Sequence, residues 1–75
     1  MNTLYDLDIN QEAIVHGFNK PHKPSSRLYE MGLISGAFVR LVKKNPFGGP
    51  IQIKLNNNYI AIRKNDAQMI NIICK

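Results

Sequence analysis

The strictest alternation of apolar and polar residues in the chain is Ile51-Gln52-Ile53-Lys54-Leu55, and a period of two predicts a strand with one face buried. Ala37 to Lys44 alternates as well. It sets Ala37, Val39 and Leu41 on one face and Phe38, Arg40, Val42 and Lys44 on the other. Gln11 to Phe18 carries Ala13, Ile14 and Val15 and is closed off by Gly17 and Asn19-Lys20-Pro21, which predicts the first strand. Tyr59 to Ile62 returns from Asn56-Asn57-Asn58, because asparagine tolerates the positive φ of a tight hairpin better than most residues. Met69 to Cys74 makes a last strand with Ile70 and Ile72 inward. Leu4, Leu7 and Ile9 give a weaker pattern, read as an extended lead-in.

The breaks between these runs are equally informative. Pro21 and Pro24 exclude a regular ladder between them, and Ser25 and Ser26 are good helix N-caps. A short helix is therefore expected through Arg27-Leu28-Tyr29-Glu30-Met31, stopping at Gly32, which takes the left-handed conformation without a Cβ clash. With Gly32 just past the helix end, Leu33 folds back onto Leu28, and Leu28, Met31 and Leu33 form an apolar wedge for the end of a sheet. Asn45-Pro46-Phe47-Gly48-Gly49-Pro50 is dense in breakers and must be a loop. Lys64-Asn65-Asp66-Ala67 reads as one helical turn capped by Asn65.

About five short strands at regular spacing, with one short helix inserted after the first, predict a mainly β domain over residues 1–75: a small closed or nearly closed barrel. A short α+β sheet with the helix over one face is the alternative. The 44% apolar and 20% charged content suits a folded globular chain. Its size limits the core and disfavours an interior ligand pocket. The N-terminal Met1-Asn2-Thr3-Leu4-Tyr5-Asp6-Leu7-Asp8 carries two acids and no apolar core, unlike a signal peptide. The apolar stretch Met69 to Cys74 is far short of the roughly 20 residues a membrane span needs. A lone cysteine, Cys74, fits a reducing compartment, so a cytoplasmic location is expected.

Ten Lys and Arg against five Asp and Glu give a net charge of +5, which invites a nucleic-acid reading. The cations are dispersed, however, and no run exceeds two. Only Phe38 to Lys44, extended by Phe47, combines an aromatic with cations facing outward on one strand, as base-stacking barrels do. A solvated basic face, or attraction to an acidic protein surface, is the competing reading. The acids Asp6, Asp8, Glu12, Glu30 and Asp66 form no general acid/base pair, and Gly48-Gly49 lacks the Lys-Ser or Lys-Thr of a phosphate loop. No catalytic residue is expected. His16, His22 and Cys74 show no metal-ligand spacing, so no metal site and no cofactor are expected either.

Arg27-Leu28, Met31-Gly32-Leu33, Gly36 and Val39, followed by Pro46-x-Gly48-Gly49-Pro50-Ile51, Ile60-Ala61-Ile62-Arg63 and the Ala67 to Ile72 ending, together resemble the FeoA (ferrous iron transport protein A) family. Ser35, where the family usually has proline, and the asparagine-rich turn are departures. The resemblance implies an SH3-like barrel and a cytoplasmic accessory of bacterial ferrous iron uptake. It also implies contact with the membrane transporter FeoB and its cytosolic GTP-binding domain, and a peripheral position at the inner membrane through that contact rather than membrane insertion. Similar domains end iron-dependent repressors, but the standalone length argues against that reading. Two alternatives stay open: a small basic nucleic-acid-binding barrel, and a metal-responsive module using His16, His22 and Cys74. Since loops on a rigid scaffold concentrate binding residues, the partner surface is expected near Arg27, Leu33, Phe47 and Arg63, with Phe47 as anchor.

Overall fold

The computed structural model describes residues 2–18 and 30–74. Its elements are β1 (Asn2–Thr3), a 3₁₀ turn (Leu4–Asp6), β2 (Glu12–Phe18), β3 (Phe38–Lys44), β4 (Ile51–Leu55), β5 (Asn58–Ile62), a short helix α1 (Lys64–Ala67) and β6 (Ile70–Cys74). The helix expected between β2 and β3 lies mostly outside the described residues, as do Arg27, Leu28 and His22; of that stretch Glu30 is helical and Met31 is already in a turn, half-buried against the core.

The six strands form one antiparallel sheet in the order β1-β6-β2-β3-β4-β5. It is not closed into a barrel, which corrects the expectation from strand count: β1 and β5, at the two ends, do not pair. The reason is local. β1 is two residues long before Leu4 turns the chain away, and β5 runs straight into α1. The lead-in is likewise not a plain extended segment, because Asp6 accepts hydrogen bonds from the Thr3 N–H (2.9 Å) and hydroxyl (3.1 Å) and tightens the 3₁₀ turn. That turn buries Leu4, and Leu7 follows it into the core, while Ile9 stays exposed.

The core is made by the inward halves of the alternating strands: Ala13 and Val15, Val39 and Leu41, Ile51, Ile53 and Leu55, Ile60 and Ile62, Ile70 and Ile72, all nearly inaccessible. Leu33 and Ala67 complete it, and no polar or charged residue is buried among the described residues. The β4–β5 hairpin turns at Asn56 (φ 52°) and Asn57 (φ 69°), the pair of positive φ values that a two-residue turn matched to strand twist requires. The helical turn at Lys64 to Ala67 is present, but its N-cap is Arg63 rather than Asn65.

Two bulges decide which side chains reach the surface. In β2 the register against β6 shifts between Val15 and Gly17, which sets His16 at the bulge. There the Ser35 hydroxyl donates to the His16 carbonyl at 2.9 Å, and the Gly36 N–H donates to the Val15 carbonyl at 2.7 Å. Serine at position 35 thus supplies a donor to the bulged strand that proline could not. In β3 the register against β4 shifts between Leu41 and Lys43, leaving Val42 as the extra residue. Lys44 then pairs with the buried Ile51 rather than standing on the outer face with Phe38 and Arg40, a correction to the simple alternation.

Candidate partner-binding surface

The loop from Asn45 to Pro50 is short and braced. The Phe47 N–H donates to the Asn45 side-chain oxygen at 2.9 Å, and the Gly48 N–H to the Asn45 carbonyl at 3.3 Å. Gly48 sits at φ 82°, where a side chain would be strained. This turn holds Phe47 away from the sheet with 95% of its surface exposed. An aromatic of that size in water forgoes the burial that normally stabilises it, on the order of 1.5–3 kcal/mol. Its ring is presented by a defined backbone rather than by a slack segment.

Cations gather beside this tip. Arg63 leaves the end of β5 and caps α1, whose Ala67 N–H donates to the Arg63 carbonyl at 2.9 Å. Lys64 reaches back across the loop: a methyl group built on Gly48 would stand 3.7 Å from its Nζ. The same ammonium lies 5.5 Å from the centre of the Tyr5 ring, and that of Lys44 lies 4.8 Å from it. Lys44 is held further by hydrogen bonds to the carbonyls of Tyr5 (2.6 Å) and Leu7 (3.4 Å), so it ties the 3₁₀ turn to β3. Gly48, Gly49, Pro50, Arg63, Lys64 and Asn65 line a depression of about 280 Å³. A second, of about 270 Å³, lies between Glu12, Phe38, Arg40, Lys54 and the Asn56-Asn57 turn. Both are open hollows smaller than usual small-molecule pockets, which suits macromolecular contact.

The four expected contact residues are thus divided. Arg63 lines the first depression, and Phe47 precedes Gly48 at its edge without lining it. Leu33 does not belong with them: it is wholly buried, and the Gly32 before it faces Leu55 and Asn56, at the far end of β4 from the loop. Four strand steps separate those ends, about 13 Å. Arg27 lies outside the described residues. Neither Lys64 nor the Lys44–Tyr5 contact follows from the sequence pattern, since the first depends on the N-terminal turn meeting α1 and the second on its meeting β3, which no local pattern encodes.

The bulge in β3 also breaks the aromatic-cation strip expected from Phe38 to Lys44, because Lys44 is engaged with Tyr5 and Leu7. His16 and Cys74 are both exposed, and no group of three metal-ligating side chains occurs among the described residues. No helix among them is long and apolar enough to cross a membrane.

Comparison with known proteins bears on this surface. Residues 2–74 match the family model described as the FeoA domain. The fold is similar to the solution structure of FeoA from Chlorobium tepidum (27% identity, 96% of this chain and 69% of that one, TM-score 0.84). It is also similar to the crystal structure of zinc-complexed FeoA from Stenotrophomonas maltophilia, a prokaryotic SH3 domain protein described as a candidate ferrous iron transport activating factor. There identity is 27%, coverage 97% of this chain and 91% of that one, and the TM-score 0.80. A manganese-dependent transcriptional repressor matches at TM-score 0.85 over 99% of this chain and 36% of its own, but at 14% identity this likeness is one of fold. No curated protein matches.

Proposed function

Because the chain belongs to the FeoA family, which is linked to ferrous iron transport, we propose that it acts as a cytoplasmic accessory of that transport, through protein contact with a FeoB-type membrane transporter and its GTP-binding domain. One observation carries the reading: Phe47 is presented almost fully exposed on a braced turn beside Arg63 and Lys64. Aromatics and arginines dominate binding hot spots, and a rigid anchor loses little conformational entropy when it docks. The cations around it favour an acidic partner surface.

Ferrous iron uptake by a strain lacking this chain provides the test. Uptake should be restored by the wild-type protein and only weakly by Phe47→Ala, with equal amounts of both proteins in the cells. Full restoration by the variant would remove Phe47 from the contact. Normal uptake in the deletion strain itself would remove the accessory role.

A further inference from the structure

The open edge at β5 has a geometry that can be worked out residue by residue. A two-residue turn at Asn56-Asn57 makes Leu55 and Asn58 a hydrogen-bonded pair. Alternation then makes Ile53–Ile60 and Ile51–Ile62 hydrogen-bonded pairs, and Lys54–Tyr59 and Gln52–Ala61 non-hydrogen-bonded ones. The N–H and C=O groups of Tyr59 and Ala61 therefore point away from β4. No turn, loop or cap bond among the described residues takes them up, and both residues are exposed.

Free edges are normally blunted by proline, a bulge or a charged side chain. β1 is blunted by its length of two residues. β5 has five residues and none of these devices, for its sequence is Asn-Tyr-Ile-Ala-Ile and both bulges lie elsewhere in the sheet. The charge around the edge selects its occupant. From Ile51 through Lys64 the charged residues are Lys54, Arg63 and Lys64, all cations, and Lys54 lies over the Tyr59 ring at 6.0 Å. A second copy would bring another +5 chain and the same cations against them. An acidic strand meets neither penalty.

We propose that β5 takes up an extended, acidic segment of a partner polypeptide as a further strand of the sheet. The Tyr59 and Ala61 backbone groups supply the hydrogen bonds, and Lys54 and Arg63 meet carboxylates at alternate positions of the incoming strand. The edge ends at Arg63 beside the Phe47 loop, so the inference deepens the accessory reading: it gives the manner in which the partner is held.

The probes are synthetic octapeptides alternating valine with glutamate or valine with lysine, and the glutamate peptide N-methylated at alternate residues. Amide exchange in the full chain should be fast at Tyr59 and Ala61 and slow at Ile60 and Ile62. Saturating glutamate peptide should slow Tyr59 and Ala61 by about tenfold or more, with the other two peptides far weaker. Ala61→Pro removes an N–H that β4 does not use, so the fold should survive while affinity falls by about five- to tenfold. Ala61→Val keeps that N–H and should bind like wild type, which covers the case of a proline variant that misfolds. Unchanged exchange with every peptide, equal binding of the lysine peptide, or concentration-dependent protection without peptide would overturn the proposal, the last by assigning the edge to a second copy. Peptide protection together with normal iron uptake in the deletion strain would instead refute the accessory role and leave strand addition standing.

Discussion

Replacing Leu33 by alanine is expected to cost about 2–5 kcal/mol, the range for truncating a fully buried leucine. Leu33 is wholly inaccessible and joins the cluster to which Met31 and Ala37 contribute from the same connection. The next residue, Ile34, is half exposed at 49%, so the chain turns over at Leu33 with one side chain committed inward. A cavity there has few ways to collapse, because the neighbouring backbone is fixed by the Gly36–Val15 and Val15–Ala37 hydrogen bonds at 2.7 and 2.8 Å. A chain of 75 residues has roughly 4–11 kcal/mol of stability in all, so much of it would be lost. Urea denaturation should show a midpoint shifted far down with an unchanged slope. A midpoint within experimental scatter of wild type would mean that Leu33 is not part of the core.

Gly32→Ala should cost about 1–3 kcal/mol by a different route. Gly32 has φ 99°, a region L-residues rarely adopt, and an added Cβ would come within 3.2 Å of the Asn56 side-chain nitrogen. Strain and crowding act together, and the Ile34 N–H to Gly32 carbonyl bond at 2.9 Å leaves the backbone little room to escape them. The predicted drop in melting temperature is about 4–8 °C per kcal/mol for a domain this small. An alanine variant that melts with the wild type would show that this corner tolerates a side chain.

How far the fold could be read from the sequence follows the range of the forces involved. Period-two alternation places β3 and β4, and strand-forming residues bounded by turn signals place β2, β5 and β6, within a residue or two, since both report local preferences that need no knowledge of partners. The left-handed Gly32 and the Asn56-Asn57 turn were readable for the same reason, as each is a property of one or two residues. The bulges at His16 and Val42 were not, because a bulge is a mismatch between two strands and leaves no mark in either alone. The open edge was missed for a related cause: a count of strands cannot tell whether the first and last are long enough to meet. At the candidate surface, the exposure of Phe47 was inferable from its setting between proline and glycines, whereas grouping it with Leu33 failed, because sequence order does not reveal which end of β4 each connection approaches.

The central claim is that the Phe47–Arg63 surface contacts the transporter, and calorimetric titration of the full chain with the cytosolic GTP-binding domain of a FeoB-type transporter tests it most directly. Phe47 makes a turn that is braced by its backbone and by Asn45, so Phe47→Ala should melt with the wild type. If the ring is a hot spot, the variant should bind about tenfold to thirtyfold more weakly, a loss of roughly 1.4–2 kcal/mol. Equal affinity of Phe47→Ala and wild type, or no measurable binding of the wild-type chain, would contradict the account.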